Sequence, residues 1–244
     1  MNVRQKQILS LTETEGEITI KALAKRLGVS EMTVHRDLDI LQAERYVYKK
    51  RGAAVFIESD DRNTSDFYTE EKRAIGRKAA ALIPDGAFII FDNSTTALEC
   101  ARFMNPEGKY TFYTTNLETA KILASFTKSV LYCSGGYYFP DSKGFVGSQA
   151  EGFISSVKAD VCFIGASGIM PDGITTPYPM HTVLQKAIIA SSKTRILVCD
   201  HSKFGKRAME KICDLGDIDT VVTDSGISES ICEEYSKYVK IIKA

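Results

Sequence analysis

Val34, Leu38 and Leu41 fall at i, i+4 and i+7 in a stretch opened by Gly28-Val29-Ser30, which predicts a helix with one apolar stripe. Gly28 supplies a tight turn and Ser30 an N-cap hydroxyl, while Thr33 stands where Glu or Gln would complete a capping box. Upstream, Ile8 and Leu11, with Val3 or Gln7 a turn earlier, predict a first helix from about Val3 to Thr12, ended near Gly16. Ile18 and Ile20 read as a short extended piece, and Ile20 to Leu27 as a second helix with Leu23, Ala24 and Leu27 inward. Downstream, Tyr46–Lys49 and Ala54–Ile57 read as two short strands around a turn, Lys50-Arg51-Gly52-Ala53.

Residues 58–66 are polar and charged, without apolar periodicity, and mark a linker between a head (1–57) and a body (67–244). Phe67 to Leu82 then predicts a helix with Ile75, Ala79 and Leu82 in register, ended by Pro84-Asp85-Gly86. From Phe88 onward, short apolar runs alternate with small polar clusters and helix-like segments. The runs are Phe88–Phe91, Tyr110–Tyr113, Val130–Tyr132, Val161–Ile164, Ile196–Val198 and Thr220–Val222. Unalternating runs of this kind suit strands buried on both faces of a mostly parallel sheet, and parallel strands require helical crossovers. The predicted body is a Rossmann-like α/β domain.

A chain of 244 residues with 44% hydrophobic composition can build such cores. Six scattered cysteines, none in a C-x-x-C pair, fit a reduced cytoplasmic protein rather than a disulfide or zinc framework. Three histidines without metal-ligand spacing give no metal signature, and neither a secretory leader nor a membrane-spanning run is expected. Net charge is zero but uneven: residues 1–57 carry 10 Lys/Arg against 7 Asp/Glu, and the remainder 21 against 24.

Three helices followed by a basic hairpin, in this order, form a winged helix-turn-helix. Its third helix turns Thr33, His35, Arg36 and Asp39 outward, suited to base edges and phosphates, and the hairpin tip adds Lys50 and Arg51 for the DNA backbone. The candidate DNA-binding residues are therefore Ser30, Thr33, His35, Arg36, Lys50 and Arg51. An amphipathic helix alone is as often an ordinary core element; the order of the neighbouring pieces is what favours DNA.

Ligands of open parallel sheets bind beyond the carboxyl ends of the strands. Those positions hold six clusters: Asp92-Asn93-Ser94-Thr95-Thr96, Thr114-Thr115-Asn116, Ser134-Gly135-Gly136, Gly165-Ala166-Ser167-Gly168, Asp200-His201-Ser202-Lys203 and Thr223-Asp224. Ser94, Thr95 and Thr96 open a helix whose free N–H groups favour a phosphate. Gly135-Gly136 permits close approach to an anion, and Lys203 can supply a point charge. Each cluster alone is more often a cap or a turn, and a lone lysine is usually a solvated surface group. Their convergence on one sheet edge is what points to a small-anion pocket. No P-loop or dinucleotide motif is present, so no cofactor is expected.

The chain resembles the DeoR-type bacterial transcriptional regulators. In the head the likeness runs through Leu23-Ala24, Leu27-Gly28-Val29-Ser30, Thr33-Val34-His35-Arg36-Asp37-Leu38, Leu41 and Arg51-Gly52-Ala53-Ala54. In the body it runs through Glu71-Lys72, Asp92-x-Ser94-Thr95-Thr96, Thr115-Asn116, Gly135-Gly136, Gly173-x-Thr175, Lys186 and Asp200-x-Ser202-Lys203-Phe204-Gly205. The family usually has Gly where this chain has Ser94. The resemblance implies a sensor domain similar in fold to ribose-phosphate isomerases and glucosamine-phosphate deaminases. It further implies a homo-oligomeric repressor of sugar-metabolism genes that binds a DNA operator and a phosphorylated sugar. The rival expectation is a sugar-phosphate isomerase or deaminase with an accessory head, using Asp92 or Asp200 as base and His201 as proton shuttle. A third is a DNA-binding protein whose body only oligomerises.

Overall fold

The computed structural model describes residues 2–43, 46–56 and 69–244. The expected linker at 58–66, together with Ile57 and Phe67, lies outside the described residues. The chain divides into two compact units, Met1–Phe67 and Tyr68–Ala244.

In the first unit α1 spans Val3–Glu15, β1 Glu17–Thr19, α2 Ile20–Leu27, α3 Glu31–Ala43, β2 Val47–Lys50 and β3 Ala53–Phe56. Helix α1 begins in a full capping box: the Asn2 side chain accepts from the Gln5 amide at 2.9 Å and the Gln5 side chain accepts from the Asn2 amide at 2.8 Å. It runs one turn past the expected Thr12, because apolar spacing marks only the buried face. Ile8, Leu23, Val34, Leu38, Leu41, Val47 and Ala54 are fully buried together. Strands β1, β3 and β2 form an antiparallel sheet in that order. Lys50 pairs with Ala53, so the wing turn is the two residues Arg51-Gly52. Helix α2 has the expected bounds, Ile20–Leu27, so Ile20 belongs to it and not to the extended piece; its N-cap Thr19 accepts from Ala22.

In the second unit α4 spans Thr69–Ala80, β4 Phe88–Phe91, α5 Thr95–Arg102, β5 Thr111–Thr114, α6 Leu117–Leu123 and β6 Val130–Cys133. Then come β7 Tyr137–Phe139, β8 Gly144–Val146, α7 Ser148–Ser155, β9 Ala159–Ile164, β10 Gly168–Met170, β11 Gly173–Thr176 and α8 Pro179–Ala190. Strand β12 (Ser192–Val198), β13 (Glu210–Cys213), β14 (Thr220–Thr223), α9 (Glu229–Tyr235) and β15 (Lys240–Lys243) complete it. Seven parallel strands form one sheet in the order β15-β14-β12-β9-β4-β5-β6. In chain order that is 3-2-1-4-5-6-7, so the direction of winding reverses between β4 and β9.

Both faces of the central strands are buried, as the apolar runs require. Ile89, Phe91, Val161 and Phe163 face a core with α4, α5 and α6, while Ile90, Cys162 and Ile164 face one with α7, α8 and α9. Three expectations need correction. Leu82 lies outside α4 and is 42% exposed, because the helix ends at Ala80 in a tightening turn before Pro84. Strand β6 is an edge, with Val130 54% exposed and Tyr132 46% exposed. Strand β15, Lys-Ile-Ile-Lys, was not foreseen, nor were the short antiparallel pieces β7–β8 and β10–β11–β13.

Candidate DNA interface and ligand site

Helix α3 starts where Ser30 Oγ accepts from the Thr33 amide at 3.2 Å, and the two hydroxyls lie 2.9 Å apart. Thr33 therefore closes the first turn in place of a capping-box carboxamide. Its Val34, Leu38 and Leu41 are buried, leaving Thr33 and His35 half-buried and Ser30 and Arg36 exposed. Asp37, between these faces, is buried and bound to Arg4 and, at 3.2 Å, to Gln5 Nε2, which ties α3 to α1. Asp39, read as a possible DNA-facing group, pairs with Lys49 at 2.5 Å. Lys50 and Arg51 are exposed at the wing tip, with Lys50 3.7 Å from Glu17 in a solvated pair that adds little.

All six clusters expected after the strands lie at the carboxyl edge of one parallel sheet. At the reversal, Asp92 follows β4 and is 1% exposed. Its Oδ1 accepts from the Ser94 amide at 2.8 Å; its Oδ2 accepts from the Gly165 amide at 2.8 Å and Gln185 Nε2 at 2.9 Å. Burial raises its pKa above the ordinary carboxylate value, opposed by these hydrogen bonds. Ser94 caps α5 by accepting from Ala97 at 3.2 Å. The N–H groups of Thr95 and Thr96 open that helix without intrahelical acceptors.

Asn93, Thr115 and Asn116 are buried and hold the β7–β8 segment rather than open space. The Thr115 hydroxyl donates to Asn93 Oδ1, Asn93 Nδ2 reaches the Phe145 carbonyl at 3.5 Å, and Asn116 Nδ2 donates to the Ser142 carbonyl at 2.8 Å. Asn116 also caps α6 at Thr119. Gly135 is exposed, whereas a Cβ on Gly136 would lie 2.6 Å from the Val146 carbonyl oxygen, a packing reason for that glycine. Lys203 is half-buried at the end of a short 3-10 turn (His201–Lys203) that follows β12, where the Asp200 carboxylate accepts from Ser202 at 3.0 Å.

Of two further participants at the reversal, Gly165 stands in one of the expected strand-end clusters and Gln185 was missed in the sequence. Gln185 on α8 spends its amide nitrogen on Asp92 and on the Gly165 carbonyl at 3.0 Å, and its Oε1 is buried without a hydrogen-bond partner. Gly165 faces Ser94: a Cβ there would lie 2.3 Å from Ser94 Cβ. The side chain that departs from the family's glycine thus occupies the space that Gly165 leaves. We expect Gly165→Ala to destabilise the unit by about 1–3 kcal/mol through overpacking, and Ser94→Gly in the same chain to restore most of it. Chemical denaturation of the single and double variants tests this; additive losses would show the two positions to be independent.

Among the described residues no helix is long and apolar enough to cross a membrane, and no cluster of His, Cys, Asp and Glu is arranged to hold a metal. Residues 4–60 match the model of the DeoR-like helix-turn-helix domain, and residues 68–225 that of the DeoR C-terminal sensor domain. An HTH-type transcriptional regulator of Haemophilus influenzae is 32% identical, covering 93% of this chain and 91% of that protein. The glycerol-3-phosphate regulon repressor of the same organism is 30% identical over 98% and 96%, and the lactose phosphotransferase system repressor of Lactococcus lactis 29% over 99% and 98%. With both domain models matched in order and relatives aligned end to end, this chain belongs to the DeoR family and is a DNA-binding transcriptional regulator, not an enzyme.

Proposed function

We propose that this regulator is a cytoplasmic repressor of sugar-metabolism genes, released from its operator by a phosphorylated sugar. In this reading residues 1–57 bind DNA through Ser30, Thr33, His35, Arg36, Lys50 and Arg51. Residues 58–66 link them to a sensor and oligomerisation domain, 67–244. The observation that carries the effector is the start of α5 at the reversal between β4 and β9, where open parallel sheets bind ligands. The free N–H groups of Thr95 and Thr96 favour a phosphate there, with Ser94 beside it and Gly135, Gly136 and Lys203 farther along the same sheet edge toward the rest of the sugar. Asp92, Asn93, Thr115 and Asn116 hold the loops that present these groups. Relatives named for glycerol 3-phosphate and for a lactose phosphotransferase system support a phosphorylated carbohydrate.

As a homodimer or tetramer, paired heads read two half-sites about one helical turn, roughly 10 bp, or a multiple of it apart. An effector preferring one head arrangement shifts operator affinity by its differential binding, typically about 1–3 kcal/mol. Fluorescence anisotropy with the DNA upstream of the gene itself, at fixed salt because phosphate contacts are salt-dependent, tests the scheme. Specific binding relieved by one phosphorylated sugar is expected. Specific binding that no sugar phosphate alters would remove the sensor role and keep the head.

A further inference from the structure

A second group of cations stands on the same sheet edge, two strands from α5. Lys203 ends the turn after β12, and Lys206 follows on the next, its amide donating to the Lys203 carbonyl at 3.4 Å. This lysine loop is built rather than loose. The Gly205 amide donates to the Ile169 carbonyl at 2.9 Å, Phe204 bridges Ile169, and the Tyr235 hydroxyl donates to Ile169 at 3.1 Å. The Lys206 carbonyl lies against Gly168, where a Cβ would come within 2.3 Å. Beside it, His201 Nδ1 and Asp224 Oδ2 are 2.7 Å apart, and Asp224 also accepts from the His201 amide. Neither lysine forms an ion pair with a described residue. Lys206 is exposed at the surface, and desolvation of its ammonium followed by the neighbouring Lys203 lowers its pKa, with Asp200 opposing.

Between the two places lies β9, with Gly165 at its end and Gln185 bound to it. The Gln185 Oε1, in a residue only 8% exposed, has no hydrogen-bond donor. Flipping the amide would set that oxygen against the Asp92 carboxylate, so the unfilled acceptor is fixed by its neighbours. Strands two apart are separated by roughly 10 Å, the span of a five- or six-carbon sugar with a group at each terminus.

We infer that the effector site is two-ended: it takes a sugar bearing an anionic group at both termini, one at the start of α5 and one at Lys203 and Lys206, with a hydroxyl donating to Gln185 between them. This rests on the phosphorylated-sugar reading above and narrows it. The second anion is a phosphate or a carboxylate; lysine ammonium groups accept either.

Calorimetric titration of the full-length protein with paired probes tests this: fructose 6-phosphate against fructose 1,6-bisphosphate, and glucose 6-phosphate against 6-phosphogluconate. The doubly anionic member of at least one pair should bind about tenfold tighter or better, the gain of one further charge-assisted contact. The pair that shows the preference identifies the second group as phosphate or carboxylate. Lys206→Ala should erase the preference and leave monophosphate affinity and melting temperature unchanged, and Lys206→Arg should retain it. Equal binding within both pairs, or loss of both members alike in Lys206→Ala, would overturn the two-ended site alone. Binding by no probe of either class would overturn it together with the sugar-phosphate reading.

Discussion

Asp92→Ala should destabilise the C-terminal unit by about 3 kcal/mol or more and abolish any response to effector. The substitution leaves the Ser94 amide, the Gly165 amide and Gln185 Nε2 buried without the acceptor they share, and each unmade bond costs about 1–3 kcal/mol. It also frees the turn that sets the start of α5. Asp92→Asn, which keeps the shape but turns an amide toward these donors, should fall between the two. Burial raises the folded-state pKa, so the native protein holds this proton more readily than the unfolded chain. The stabilisation from protonation is full below the unfolded pKa and is lost as pH rises through the folded one. The stability gap between wild type and Asp92→Ala should therefore widen on acidification through the window just above the ordinary carboxylate value. Urea denaturation across that range reads it; a gap that narrows instead would mean that the hydrogen bonds outweigh burial.

Arg36→Ala should weaken specific operator binding by about 10- to 100-fold, the worth of one good base or phosphate contact at roughly 1–3 kcal/mol. Arg36 is exposed on α3 and forms no ion pair with a described residue, so the melting temperature and the effector titration should not move. The neighbouring Asp37 provides the contrast. It is buried and holds Arg4 and Gln5 of α1, and Asp37→Ala should lower both stability and DNA affinity. Loss of stability in Arg36→Ala as well would make that residue part of the fold instead of the interface. Measuring affinity at several salt concentrations separates a phosphate contact, which reduces the salt slope, from a base contact, which relaxes sequence preference.

Periodicity and turn chemistry made the head legible: Val34, Leu38 and Leu41 define the inner face of α3 without reference to anything distant, and Ser30 begins it. The same holds for the six apolar runs, each found as a strand within a few residues; five are buried as a segment covered on both faces must be, and only Val130–Tyr132 proves an exposed edge. Strand β15 escaped because its lysines, at the sheet's edge, break that pattern; edge strands are commonly guarded by charge. The small polar groups after the strands were visible as candidates, but not their division of labour. Sequence alone thus determined the kind of the head's elements and of the six apolar runs, and the chemistry available at their ends, since these arise from local propensity and side-chain type. The order of strands, the reversal between β4 and β9, and the meeting of Asp92 with Gln185 and of Ser94 with Gly165 were decided only by the tertiary structure. These contacts join residues some 70 to 90 positions apart, and they depend on which side of the sheet each crossover returns, which no local pattern encodes.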